Sequence, residues 1–130
     1  MSKTVAKEYT ADKVRSLALI GHGGSGKTTM TESLLFLSGA TTRMGRVEDG
    51  STLSDYHQDE IERKISINTS LLFTEWQGTK INILDTPGYS DFVGEVIGAL
   101  RVADLALVLL KAVEGVEVGT EIVWEHAKKY

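Results

Sequence analysis

Two apolar periods alternate along the chain. At Val14–Ile20 (VRSLALI) apolar residues occupy successive positions, as in a parallel strand buried on both faces. Thr29–Leu37 follows as a helix, with Met30, Leu34 and Leu37 on one face and Gly39 as its stop. From Gly39 to Asn68 the periodicity fails, and an acidic run passes through Asp55, Asp59, Glu60 and Glu62. A patternless stretch of this length is uncommon in a compact domain and marks either a functional, switch-like loop or a solvated linker. The pattern resumes as a strand at Thr69–Trp76, turns at Gln77-Gly78-Thr79 and returns through Lys80–Leu84, an antiparallel pair. Ser90 or Asp91 can cap the next helix, whose Phe92, Val93, Val96, Ile97 and Leu100 form an inward stripe. Leu105–Leu110 reads as another buried strand. Glu117–Lys129 reads as an amphipathic helix with Ile122, Val123 and Ala127 inward. This order predicts an α/β, doubly wound, mostly parallel sheet with one antiparallel strand, whose ligands sit beyond the carboxyl ends of the strands.

Composition narrows the class. Met1–Lys13 is a polar lead-in without the apolar run of a secretory signal, and residues 14–130 suffice for one domain with a modest core. No segment approaches the ~18 apolar residues of a membrane span. The net charge of −4, with no Lys/Arg cluster, disfavours a nucleic-acid surface within these residues. With no cysteine, neither a disulfide framework nor a thiolate metal site is available, which suits a cytoplasmic protein.

Between the first strand and its helix stands GHGGSGKT, Gly21–Thr28, which fits the phosphate-binding pattern of Gly, four residues, then Gly-Lys-Thr. Gly21, His22, Gly23, Gly24, Ser25 and Gly26 bend the backbone so that amides point at phosphate oxygens, and the helix adds the positive end of its dipole. Lys27 reaches the β- and γ-phosphates and the Thr28 hydroxyl ligates Mg²⁺. A glycine-rich turn that happens to carry a lysine is the bland alternative, which the flanking strand and helix argue against.

A second loop, Asp85-Thr86-Pro87-Gly88, leaves the carboxyl end of the Lys80–Leu84 strand. Asp85 is placed to steady the metal, Pro87 stiffens the turn, and Gly88 offers an unobstructed amide to a γ-phosphate oxygen. Alone it could be an ordinary turn before a capped helix. His57 has no partner at metal-ligand spacing; His126, Trp76 and Trp124 read as packing or surface residues, and in His22 the backbone counts for more than the ring.

GHGGSGKTT, RKISI at Arg63–Ile67 and DTPGYSDFVGEV at Asp85–Val96 together resemble the translational GTPases, above all elongation factor G and its paralogues. The likeness runs from about Arg15 to Tyr130. It implies a P-loop NTPase of the Ras-like G-domain type, GTP and GDP as ligands with Mg²⁺, and a nucleotide switch acting on the ribosome. Carried over by position, Ser66 stands for a switch threonine that ligates Mg²⁺ beside Thr28 and Asp85. Lys64 occupies a usual glycine, which makes the switch backbone less permissive. Tyr89 replaces a histidine that positions the attacking water. A phenol with a pKa near 10 is a poor base at neutral pH, although it can orient a water or simply pack over the loop.

The family's base-reading Asn-Lys-x-Asp does not occur by Tyr130, and four strands appear where its fold has six. The expectation is therefore a G domain truncated after its fourth strand and the following helix. Two other functions stay open at this point: a GTP-dependent binding switch with little hydrolysis, and a P-loop ATPase or small-molecule kinase.

Overall fold

The computed structural model describes residues 7–130, so the first six residues of the expected lead-in lie outside the described residues. One 3₁₀ turn, Ala11–Lys13, delivers the chain into β1 (Val14–Ile20). Then come α1 (Lys27–Leu37), α2 (Gln58–Arg63), β2 (Ser70–Trp76), β3 (Thr79–Asp85), α3 (Val93–Leu100), β4 (Leu105–Val108) and α4 (Val118–Ala127). The four strands form one sheet in the order β2-β3-β1-β4, parallel except for the β2–β3 hairpin. This is the doubly wound α/β arrangement that the pattern predicts.

The continuous apolar run of β1 is explained by helices on both faces. On one face Ala18, Ile20 and Leu84 pack with Val96, Ala99, Leu100 and Val123 of α3 and α4. On the other, Leu19 and Ile83 pack with Leu35 of α1. The register sets Leu19 beside Asp85 and Ile20 beside Val108, so the exits of β1, β3 and β4 lie level at one edge. Every candidate loop leaves from that edge.

Four expectations need correction. The inward face of α1 is Thr28, Thr31, Glu32 and Leu35; of the expected stripe Leu34 does pack, half-buried, against the same cluster, whereas Met30 is exposed and Leu37 is 77% exposed. The helix turns polar groups inward because Glu32 serves as an acceptor for distant backbone, so its apolar period does not mark its buried face. Among the described residues β4 lies at the edge of the sheet rather than buried within it, pairing with β1 alone and leaving Leu105 and Leu107 exposed. Neither Ser90 nor Asp91 makes a capping hydrogen bond; Ser90–Phe92 instead form a 3₁₀ turn that leads directly into α3.

Segment 39–68 is neither structureless nor a solvated linker. It contains α2 and is pinned by two buried carboxylates. Glu32 accepts the Gly45 amide at 2.9 Å and the Leu53 amide at 2.6 Å. Glu60 accepts the Ile67 and Asn68 amides at 2.9 and 3.0 Å. The Ser70 hydroxyl donates to the carbonyl of Ser54. Buried backbone amides need acceptors, and here side chains supply what a ladder would supply elsewhere.

Candidate functional site

The phosphate loop emerges from β1 and runs straight into α1, with Gly26 in a left-handed conformation as its N-cap. Lys27 is buried, and its ammonium donates to the carbonyls of Gly21 (3.1 Å) and His22 (2.8 Å) and to the Ser25 hydroxyl (3.4 Å). Burial lowers its pKa to about 8, against the opposing pull of the Asp85 carboxylate. The loop is thereby held in shape by its own lysine.

The loop after β3 closes on it. The Thr86 hydroxyl donates to the carbonyl of Leu19 at 2.6 Å and Pro87 is fully buried, so both fix the loop rather than face the cavity. Gly88 must be glycine on contact grounds alone. A Cβ there would lie 2.5 Å from Lys27 Nζ and 2.7 Å from the Gly23 amide nitrogen. Beyond it the Tyr89 ring covers Gly23, where a Cβ would meet ring carbon Cζ at 3.0 Å. Tyr89 is 48% exposed.

Asp85 is 1% exposed and neither carboxylate oxygen has a hydrogen-bond partner. Burial pushes its pKa up to about 6; the Ser54 and Thr28 hydroxyls and the Lys27 charge counter this without closing a bond of normal geometry. Thr28 Oγ1 lies 3.2 Å from Ser66 Oγ, so the two hydroxyls that the family resemblance pairs as metal ligands are adjacent. The donors gathered here are oxygens: Asp85, Thr28, Ser66 and the unpartnered hydroxyl of Ser54. That set suits a hard cation such as Mg²⁺. Among the described residues no three His, Cys, Asp or Glu side chains cluster to cage a metal. Mg²⁺ commonly takes few protein ligands, completing its shell with water and phosphate.

A cavity of about 250 Å³ joins these parts, with Lys27, Thr28, Asp55, Lys64, Ser66, Gly88 and Tyr89 in its wall. Asp55 was legible only as one member of an acidic run. It is buried against this corner, and burial raises its pKa. The His22 ring, and not only its backbone, has a structural role. It is 3% exposed, with Nδ1 3.2 Å from Thr120 Oγ1 and Nε2 3.8 Å from the Glu117 carboxylate, and so ties the phosphate loop to the start of α4. Its signal, a polar ring between two glycines, is indistinguishable in sequence from a solvated one. Lys64 sits at the C-cap of α2 with φ +56°, a conformation that costs a lysine about 1 kcal/mol relative to glycine. The expectation of glycine at that position thus has a backbone cause.

Strand, glycine loop, helix N-terminus and facing Asp-Thr-Pro-Gly loop define a P-loop nucleotide-binding protein. Residues 12–130 match the family described as the elongation factor Tu GTP binding domain, and the chain belongs to that family. It is 44% identical over 128 residues to a protein of Debaryomyces hansenii named ribosome-releasing factor 2, mitochondrial, covering 98% of this chain and 15% of that one. The Candida albicans protein of the same name is 48% identical over 126 residues, covering 97% and 16%. A crystal structure of a Thermus thermophilus protein superposes with a TM-score of 0.87 at 47% identity, over 90% of this chain and 18% of that one. The chain spans about 15% of the length of the curated relatives it matches. The mitochondrial names of those relatives mean that membership does not itself imply a cytoplasmic address. No helix among the described residues is long and apolar enough to cross a membrane.

Proposed function

We propose that residues 14–130 form the phosphate-binding part of a G domain that binds GTP with Mg²⁺, hydrolyses it and works as a nucleotide switch on the ribosome. The observation that carries this reading is the contact between the two loops at Gly88, where the backbone approaches Lys27 and Gly23 too closely for any side chain. Amides from both loops can therefore face one phosphate group, where the chemistry is chiefly positioning and charge stabilisation. Membership of a GTP-binding family sets the ATPase and kinase alternatives aside.

In this reading the loop amides of Gly21–Gly26 and the Lys27 ammonium hold the β- and γ-phosphates, and the Gly88 amide senses the γ-phosphate. Thr28, Ser66 and Asp85 would hold Mg²⁺, which when bound neutralises phosphate oxygens. Tyr89, half-exposed beside Gly23, orients the attacking water. The second reading, a binding switch with little turnover, draws on the same tyrosine, because a phenol neither takes up a proton readily nor becomes cationic near neutral pH.

The test is calorimetric titration of the full-length protein with GTP and GDP, with and without Mg²⁺. Lys27→Ala should abolish measurable binding, and Thr28→Ala should weaken binding with Mg²⁺ more than without it. Unchanged GTP affinity in Lys27→Ala would remove the site assignment.

A further inference from the structure

Lys64 is a lysine where the backbone calls for glycine. The left-handed turn at the end of α2 is fixed by the Lys64 and Ile65 amides, which both donate to the Glu60 carbonyl, and any residue placed there inherits φ +56°. Strain of this kind persists where the residue has a task that the easier choice cannot perform. Lys64 is exposed and is one of the residues that line the same cavity as Lys27, Thr28, Gly88 and Tyr89. It forms no ion pair among the described residues, although Glu48 and Asp55 share that cavity. Two residues on, Ser66 touches Thr28, so this stretch of backbone is anchored against the phosphate loop.

The charge balance asks for a further cation. A triphosphate with one divalent metal remains anionic, and Asp55 and Asp85 add negative charge beside it. Lys27 supplies one ammonium for the phosphates and also donates to three oxygens of its own loop, so it does not balance this charge alone. A lysine is a point charge on a long flexible stem, able to reach a phosphate oxygen from the cavity wall.

We propose that Lys64 is a binding residue for the terminal phosphate, an ammonium delivered by the end of α2 that pairs with a γ-phosphate oxygen of the bound nucleoside triphosphate. The inference rests on the phosphate-loop reading and deepens it. Triphosphate gains a contact from segment 39–68 that diphosphate cannot make, which links closure of the segment to the terminal phosphate. A glycine in the same turn supplies the backbone without the charge.

The test uses the full-length protein, a non-hydrolysable GTP analogue and GDP, in isothermal titration of native, Lys64→Gln, Lys64→Gly and Lys64→Arg. Losing a charge-assisted hydrogen bond should weaken the analogue about tenfold in both Lys64→Gln and Lys64→Gly, with GDP affinity within about twofold of native. Lys64→Arg should keep most of the preference. Lys64→Gly alone should raise the thermal midpoint, because it relieves the left-handed strain while Lys64→Gln retains it. Equal losses in two variants of different stability would assign the effect to the charge. If native binds both nucleotides and Lys64→Gln binds the analogue as tightly, the inference falls and the phosphate-loop reading stands. If native binds neither, both fall.

Discussion

The phosphate corner and segment 39–68 meet at one cavity, yet they were unequally visible. In the corner the backbone itself forms the cradle. Each glycine, the lysine and the threonine answer a local demand of the loop, so the demand is written at fixed spacing from Gly21 to Thr28 and from Asp85 to Gly88. In the segment the backbone is held by buried side chains outside any regular ladder. Glu32 reaches amides 13 and 21 residues along, and Glu60 reaches 7 and 8. A buried carboxylate that stands in for a ladder has no period, and an acidic residue in a polar stretch looks solvated. A chain announces what its backbone binds and conceals what its buried charges hold.

The comparison can be broken first at α1, which serves both regions. Leu35 and Leu37 look alike in sequence, but only Leu35 faces the sheet. Leu35→Ala should destabilise the domain by about 2–5 kcal/mol. Leu37→Ala, at an exposed position, should fall within about 0.5 kcal/mol of native. Hydrogen exchange at the β1 and β3 amides, which open with the sheet, reads both. Equal effects would restore Leu37 to the inward face.

The fold was legible because buried strands and a two-residue-period hairpin carry their own signal, and β1 begins and ends where the pattern places it. The phosphate loop and its facing loop were legible for the reason given above, as was the pairing of Thr28 with Ser66 through the resemblance. What escaped depends on tertiary partners. The inner face of α1 combines Leu35 with Thr28, Thr31 and Glu32, and the polar members break the apolar period. The exposure of β4 depends on which strand lies beside it, and nothing within Leu105–Leu110 records that. The His22 ring gains its role only when Thr120, 98 residues away, arrives beside it. Asp55 becomes a cavity residue only after segment 39–68 folds back over α1.

A second cut separates the segment from the corner. Glu32→Gln keeps the volume but turns one acceptor oxygen into a donor, leaving either the Gly45 or the Leu53 amide without a partner. The loss should be about 1–3 kcal/mol and local to the segment. Limited proteolysis should therefore cleave within residues 40–57 faster than in native, while exchange at β1 and β3 stays unchanged. If β1 and β3 loosen together with the segment, the two regions are one cooperative unit and the contrast between them is false.

The smallest expected effect is at the seam, where Tyr89 from the β3 loop covers Gly23 of the phosphate loop. Covering a glycine explains why the ring fits, but packing alone would not need the hydroxyl. Single-turnover GTP hydrolysis by the full-length protein with ribosomes distinguishes the roles. If the phenol orients the water, Tyr89→Phe should be slower than native. Tyr89→His should be faster by about tenfold, the lower part of the range for a positioned acid–base group, since imidazole can become cationic near neutral pH. Nucleotide affinity should hardly change in either, because the side chain acts on the water and not on the phosphates. Gly23→Ala is the control for packing. Its methyl group must push the ring aside by a few tenths of an ångström, so hydrolysis should fall while the hydroxyl remains. If Tyr89→Phe hydrolyses as fast as native and Tyr89→His is no faster, the ring only packs, and the water is positioned by something other than the residue after Gly88.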